Sequence, residues 1–95
     1  MEYIDISVVK QASKKLDKHF FDDSTMRFFN SRISQDAIKS GNMAYFVSSE
    51  KFDHKTPRLY SVRAINLDTG KIETIPDFQH FKSNQQAWKF IKNIA

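Results

Sequence analysis

Residues 58–75, RLYSVRAINLDTGKIETI, predict a β-hairpin, and this hairpin indicates the class of the fold. From Tyr60 to Ala64 apolar and polar side chains alternate, which is the period-two pattern of a strand. Asp68-Thr69-Gly70 follows as a turn, and its glycine supplies the positive φ that tight turns need. Residues 71–75 then return as a shorter strand, which Pro76 ends.

Three stretches before this hairpin predict further short elements. Met43 to Ser49 has an aromatic and β-branched centre, which favours a strand. Met26 to Ile33 predicts another strand. Ser34 to Ser40 predicts a short helical turn that ends at Gly41, where glycine suits the left-handed C′ position.

The N-terminal part of the chain predicts a helix from Asp5 to His19. Asp5 or Ser7 can provide its N-cap. Apolar residues recur at three- and four-residue spacing and would share one face of this helix: Val8, Val9, Ala12 and Leu16.

The C-terminal part predicts a second helix, from Asn84 to Asn93. Ser83 and Gln86 have the spacing of a capping box, and Trp88 and Ile91 are expected to be buried against the sheet. The predicted fold is therefore α+β, with a three- to four-stranded, mainly antiparallel sheet. We expect the N-terminal and C-terminal helices to pack together on one face of that sheet.

Composition indicates a single globular domain over residues 1–95. The chain is 40% hydrophobic and contains nine Phe, which argues against disorder. It contains no Cys, which excludes disulfides and thiolate zinc sites and fits a reducing compartment. The first ten residues lack the order of a signal peptide, and no apolar run has the length of a membrane span. We therefore expect a cytoplasmic protein without a membrane partner.

No residue pattern indicates catalysis, a cofactor or a metal. The three His residues are not spaced as a metal pair. Asp22 and Asp23 are adjacent, and a turn or a helix cap explains them better than a shared acid–base site. Two glycines in the whole chain leave no phosphate-binding loop. We expect a protein that is not an enzyme.

The formal net charge of +4 makes nucleic acid or an acidic protein a reasonable partner. The loop at residues 51–58 concentrates cations between two predicted strands, and loops held by a rigid sheet often carry function. Arginines beside aromatic residues on an open sheet face could hold single-stranded nucleic acid or a protein. The alternative is a polar face with salt bridges to Glu50 or Glu73. The candidate binding residues are Lys55, Arg58 and Arg63, with Lys51 and Arg27 as weaker members.

Three stretches also resemble a small domain of unknown function that phages and other mobile elements of Gram-positive bacteria carry. They are MRFFNSR (26–32), YFVSSEKF with PRLYSVR (45–52 and 57–63), and Thr69-Gly70 followed by Phe78 and Lys82. The resemblance extends from about Thr25 to Lys92 and brings no known activity. It implies a mobile-element context in a bacterial host, where small proteins without catalytic residues often bind host proteins, including defence complexes.

These observations lead us to expect a non-enzymatic binding protein that engages a host protein or nucleoprotein complex. The most specific form of this expectation is an inhibitor of a nucleic-acid-targeting defence system, similar to an anti-CRISPR. A net charge of +4 makes mimicry of DNA implausible, so such an inhibitor would bind an acidic protein patch or a nucleic acid strand. The alternative is a small basic protein that binds DNA or RNA directly.

Overall fold

The chain is organised around one antiparallel sheet. The structure is a computed structural model, and it describes residues 2–16, 18–51 and 53–95. The elements are β1 (Glu2–Asp5), α1 (Ile6–Ser13), α2 (Asp23–Phe28), β2 (Arg32–Ile33), β3 (Asp36–Ser40), β4 (Met43–Glu50), β5 (Leu59–Asn66), β6 (Ile72–Ile75) and α3 (Asn84–Ile94). The strand order is β1-β3-β4-β5-β6, and β2 pairs with the end of β4. The α+β class was predicted, but the sheet is larger than the three or four strands expected.

The central pair, β4 and β5, defines the two faces of the sheet. Its register runs from Met43 opposite Asn66 to Glu50 opposite Leu59. Successive side chains of a strand point to opposite faces, and directly paired residues share a face. The Phe46 face therefore carries Ala44, Phe46, Ser48, Glu50, Ser61, Arg63 and Ile65. The Val47 face carries Tyr45, Val47, Ser49, Tyr60, Val62 and Ala64.

The two long helices pack against opposite faces, which corrects the expectation that both lie on one face. Val9 and Ala12 of α1 join a buried cluster with Phe46. Ala87 and Ile91 of α3 join a second buried cluster, on the Val47 face. The apolar run of β4 explains this arrangement, because a strand whose successive residues are all apolar needs cover on both sides.

Helix α1 is shorter than predicted. The Asp5 carboxylate caps it by accepting from the Ser7 backbone N–H at 2.8 Å, but the helix ends at Ser13. The Ser13 hydroxyl donates to the Lys10 carbonyl at 2.7 Å, a local bond of the kind that competes with helix propagation. Two members of the predicted apolar face, Val9 and Ala12, are buried, whereas Val8 and Leu16 are exposed.

The turn between β5 and β6 is confirmed, and it meets α1. The Asn66 side-chain oxygen accepts from the backbone N–H groups of Asp68 and Thr69, at 2.9 and 3.1 Å. Gly70 has a φ of 82°, and a Cβ at this position would lie 2.5 Å from the Ala12 carbonyl oxygen. Glycine is therefore required here both by the backbone conformation and by the close approach of the helix.

Residues 26–40 differ from the prediction. Met26 to Phe28 belong to α2, and only Arg32 and Ile33 form a strand in the region predicted as one. The stretch predicted as a helical turn is strand β3, which pairs with both β1 and β4. Gly41 does have a positive φ of 61°, but it lies in the two-residue turn of the β3–β4 hairpin. Pairing on both sides of β3 outweighs the local turn preference.

Helix α3 follows its prediction closely. The Ser83 hydroxyl accepts from the Gln86 backbone N–H at 3.2 Å, and the Gln86 side-chain oxygen accepts from the Lys82 N–H at 3.2 Å. Ile91 is fully buried and Trp88 is half-buried against the Val47 face. None of the helices in the described part of the chain is long and apolar enough to cross a membrane.

Candidate functional site

A basic concavity lies where α2, the end of β4 and the start of β5 meet. It has a volume of about 610 Å³. Half of its lining residues are cations, and one has a phenyl ring: Arg27, Phe28, Asn30, Arg32, Lys51, Asp53, His54 and Arg58. We refer to this set as the basic concavity.

Hydrogen bonds from one backbone group and one side chain hold the two sides of the basic concavity together. The Lys51 N–H donates to the Phe29 carbonyl at 3.4 Å, so the chain leaving β4 lies against the end of α2. Arg58 makes the stronger link. Its Nη1 donates to the carbonyl oxygens of Asn30 and Ser49 at 3.0 and 3.2 Å, and to the Ser49 hydroxyl at 3.0 Å.

The loop after β4 is ordered by Asp53. Its carboxylate accepts from the backbone N–H groups of Lys55 and Thr56, at 2.7 and 2.9 Å. These hydrogen bonds lower the pKa of Asp53 below its ordinary value, and the nearby Lys51 charge contributes in the same direction. Asp53 therefore stabilises a turn of the loop and remains ionised near neutral pH.

The cations of the basic concavity are not neutralised by ion pairs. Within residues 2–16, 18–51 and 53–95, none of Arg27, Arg32 and Lys51 lies within 4.0 Å of a carboxylate oxygen. Arg58 bonds only to neutral acceptors in the same described ranges. The concavity therefore carries an excess of positive charge that an anionic ligand could balance.

An exposed aromatic ring completes the basic concavity. Phe28 is 78% exposed although it is one of the larger apolar side chains of the chain. Its ring contacts Phe29 edge to face, with centroids 4.8 Å apart, so its orientation is supported from one side. A supported and accessible ring beside several cations is a surface on which a flat ligand group can stack.

The predicted binding residues fall into two separate places. Arg27, Lys51 and Arg58 line the basic concavity together, and Lys55 is exposed on the same loop without lining it. Arg63 lies elsewhere, on the Phe46 face, where its side chain is only 13% exposed. The expected open sheet face beside Arg63 is covered instead.

Arg63 is held by both polar and aromatic neighbours. Its Nε donates to Ser48 Oγ at 2.9 Å, Nη2 lies 3.2 Å from Glu50 Oε1, and Nη1 donates to the Thr74 hydroxyl. The guanidinium carbon lies 5.3 Å and 5.4 Å from the ring centroids of Phe20 and Phe78. The sequence left open a salt bridge to Glu50 or to Glu73, and Arg63 forms the one to Glu50.

Glu50 is the most deeply buried charged residue of this group. Its Oε1 also accepts from the Ser61 hydroxyl at 3.2 Å, while Oε2 is buried and makes no hydrogen bond within the described residues. Burial raises the pKa of Glu50, and the charge of Arg63 and nearby hydroxyl groups oppose that increase. Burial likewise lowers the pKa of Arg63, whose guanidinium nevertheless stays protonated.

Phe28 is the functional candidate that the sequence did not reveal. A strand over 26–33 would have pointed Arg27 and Phe28 to opposite sides, whereas α2 presents both to the basic concavity. The sequence feature that could have predicted α2, and with it the position of Phe28, is the acidic pair Asp22 and Asp23. Asp22 is the N-cap of α2 and Asp23 lies in its first turn, positions where acidic residues are favoured.

The described residues, 2–16, 18–51 and 53–95, include no group of three His, Asp or Glu side chains placed to hold a metal ion. No curated protein and no solved structure matches the chain. The profile of a protein family without a known function matches residues 5–92, which is nearly the whole chain. The chain therefore belongs to DUF7447, a family of unknown function.

Proposed function

We propose that this chain is a non-enzymatic binding protein whose ligand is single-stranded nucleic acid, held in the basic concavity. The observation that carries this proposal is the excess of four cations, Arg27, Arg32, Lys51 and Arg58, over the single carboxylate of Asp53 around one depression. Phosphate groups of a polynucleotide would supply the missing negative charge.

Phe28 favours a single strand over a duplex. Proteins that bind single strands without sequence preference combine a cationic groove with aromatic rings on which bases stack. The exposed ring of Phe28 lies at the same depression as the cations. Bases of a duplex are already stacked on one another, so they cannot use this ring without unstacking.

The resemblance to domains of phages and mobile elements supports an origin in such an element. There, the same surface could act on a nucleoprotein complex of the host, by contacting its guide or substrate strand. An inhibitor of a nucleic-acid-targeting defence system would then be one biological use of strand binding. An acidic protein surface is the competing ligand, because arginine and aromatic side chains are also favoured anchors in protein interfaces.

The test is fluorescence anisotropy with a labelled oligothymidylate, compared with a duplex of equal length, over a series of salt concentrations. Four phosphate contacts would give a slope of log K against log salt of roughly −3 for a single strand. The variant Arg32→Gln with Lys51→Gln should weaken binding and make the slope less negative by about one and a half units. Neither side chain forms an ion pair in the described part of the chain, so folding should be retained.

The matched control is Lys14→Gln with Lys89→Gln, which removes the same net charge from exposed positions on and beside the two long helices. If both double variants lose affinity equally, the binding reflects net charge and the basic concavity is not the site. If the protein binds no oligonucleotide but binds an acidic protein through Arg32 and Lys51, the nucleic acid proposal is wrong and the competing ligand is correct.

A further inference from the structure

A second cavity lies on the opposite side of α2, on the Phe46 face of the sheet. Its volume is about 210 Å³. The walls are mostly apolar, formed by Phe20, Met26, Phe29, Ile33 and Phe78. Polar groups converge at its base, where Ser48, Glu50 and Arg63 contribute to the lining. We call this the Glu50 cavity.

Glu50, which contributes to the lining of this cavity, has one carboxylate oxygen without a hydrogen-bond partner in the described part of the chain. Oε1 of Glu50 is used by Ser61 and Arg63, but the buried Oε2 accepts no hydrogen bond within the described ranges. A buried charged acceptor that is left without a donor destabilises the folded chain. Oε2 is itself buried, so a ligand donor reaches it when the carboxylate turns toward the cavity, and the bond would then offset that loss of stability.

The charges around Glu50 indicate which donor would fit. A cationic ligand would meet the guanidinium of Arg63, which already lies 3.2 Å from the carboxylate. An anionic ligand would meet the carboxylate itself. A neutral N–H group avoids both repulsions and still satisfies the buried oxygen.

Size and shape restrict the rest of the ligand. An apolar protein cavity of about 150 Å³ is sufficient to hold a benzene molecule. The Glu50 cavity therefore has room for one ring, or for two small fused rings. Its aromatic walls favour a flat ring, which can pack against them edge to face or in an offset stack.

Arg63 adds a complementary donor. A guanidinium has five N–H groups, and three hydrogen bonds from Arg63 are made within the described residues. The rings of Phe20 and Phe78 also lie close to its guanidinium group. A ligand with an acceptor nitrogen beside its N–H group could thus bond to Arg63 as well as to Glu50.

We propose that the Glu50 cavity binds one neutral, planar nitrogen heterocycle of nucleobase type, whose N–H group donates to Glu50 Oε2. This proposal is independent of strand binding in the basic concavity. The heterocycle can be a free base or nucleoside, or a base of a longer strand, and all of these share the same donor edge and flat ring.

The test compares two small probes, 2-aminopyrimidine and pyrimidine, by NMR titration of the ¹⁵N-labelled protein. The rings are alike, but only 2-aminopyrimidine carries an N–H donor. Both should shift the signals of residues that line the Glu50 cavity, and 2-aminopyrimidine should bind about tenfold to a hundredfold more tightly, as expected for one hydrogen bond to a charged acceptor.

Glu50→Gln provides the sharper comparison. Because Oε1 must still accept from Ser61 and Arg63, the amide oxygen takes its place and the NH₂ group takes the place of Oε2. The variant should then bind 2-aminopyrimidine and pyrimidine with about equal affinity. The matched control, Glu73→Gln, changes an exposed glutamate and should keep the full preference.

Met26→Trp, which fills the cavity from the half-buried side of α2, should remove binding of both probes. The comparison of the probes in the unchanged protein remains decisive even if a variant does not fold. Absence of any shift at the cavity residues, or equal binding of both probes, would overturn the proposal. Competition by adenosine or cytidine would indicate a free ligand, and competition only by a single-stranded oligonucleotide would indicate a base of a strand.

Discussion

Arg58 and Arg63 lie five positions apart, yet they occupy very different electrostatic environments. Arg63 faces a carboxylate at 3.2 Å and is enclosed by two aromatic rings. Arg58 bonds to two carbonyl groups and a hydroxyl, and its charge is not balanced by a carboxylate in the described part of the chain. The comparison shows that the number of basic residues does not locate a binding surface. The acceptors that each cation already has decide which charge remains available.

The largest loss of stability should come from removing the charge of Arg63, which Glu50 balances. Arg63→Ala leaves the Glu50 carboxylate buried beside Ser61 and Ser48 without its cation, and breaking a buried pair in this way costs about 3–5 kcal/mol. We expect the melting temperature to fall by more than about 10 °C. Thermal and urea unfolding, followed by circular dichroism, would measure the loss.

The double variant Arg63→Met with Glu50→Leu serves as the control for this prediction. It removes both charges and keeps apolar volume, so it should recover most of the lost stability. A double variant that is as unstable as Arg63→Ala would show that the hydrogen bonds and ring contacts of Arg63 matter more than its charge.

A smaller effect is expected from Arg58. Arg58→Ala removes three hydrogen bonds that join the end of α2 to β4. Part of this site is open to water, so we expect a loss of about 1–2 kcal/mol in the free energy of unfolding. Lys55→Ala, on the same loop but without a side-chain bond in the described ranges, should change it by less than about 0.5 kcal/mol. Equal effects of the two substitutions would show that the hydrogen bonds of Arg58 do not stabilise the fold.

The smallest effect is a dependence of stability on pH. Burial raises the pKa of Glu50 in the folded state above its ordinary value of 4.5. Above pH 4.5 the unfolded chain releases this proton more readily than the folded chain, so the contribution of Glu50 to stability falls as pH rises through the folded pKa. The slope for one group is at most about 1.4 kcal/mol per pH unit.

Urea unfolding at several pH values, from 4 to 7, would measure this dependence. Glu50→Gln cannot titrate, so its stability relative to the unchanged protein should increase across that range. A constant difference would mean that the pKa of Glu50 is the same in the folded and unfolded chains.

The sequence predicted the later half of the fold well because its signals are local. Strands β4, β5 and β6, the turn at Gly70 and helix α3 each carry their own alternation, turn residue or cap within a few positions. The start of α3 is an example in which two side chains specify a helix start without any distant contact, although Gln86 accepts from the Lys82 N–H and not from the Ser83 N–H that a capping box would use.

The earlier half could not be predicted in the same way. Strand β3 depends on pairing with β1, which lies more than thirty residues away along the chain, and on its hairpin with β4. Residues 26–29, Met-Arg-Phe-Phe, suit a strand by propensity, but Met26 lies in α2 and Phe29 is its C-cap, and both line the Glu50 cavity. The packing of the two long helices on opposite faces of the sheet was not predicted. The continuous apolar run Tyr45-Phe46-Val47 did indicate it, because such a strand needs cover on both faces.

The same limit applies to the candidate sites. Lys51 and Arg58 could be proposed from their charge because they belong to a basic loop between two predicted strands, and Arg27 because it stands beside aromatic residues on a predicted strand. The burial of Arg63 could not be foreseen, since it depends on Phe20 and Phe78, which come from distant parts of the chain. Its pairing with Glu50 was foreseen only as one alternative.

Residues 25–33 form a wall between the two cavities described above. Thr25, Met26, Phe29, Ser31 and Ile33 line the Glu50 cavity, and Arg27, Phe28, Asn30 and Arg32 line the basic concavity. A displacement of this segment as a unit would change the shape of both cavities. Ligands of the two cavities would then be thermodynamically linked, and linkage is reciprocal. The factor by which a strand alters the affinity for a heterocycle must equal the factor by which the heterocycle alters the affinity for the strand.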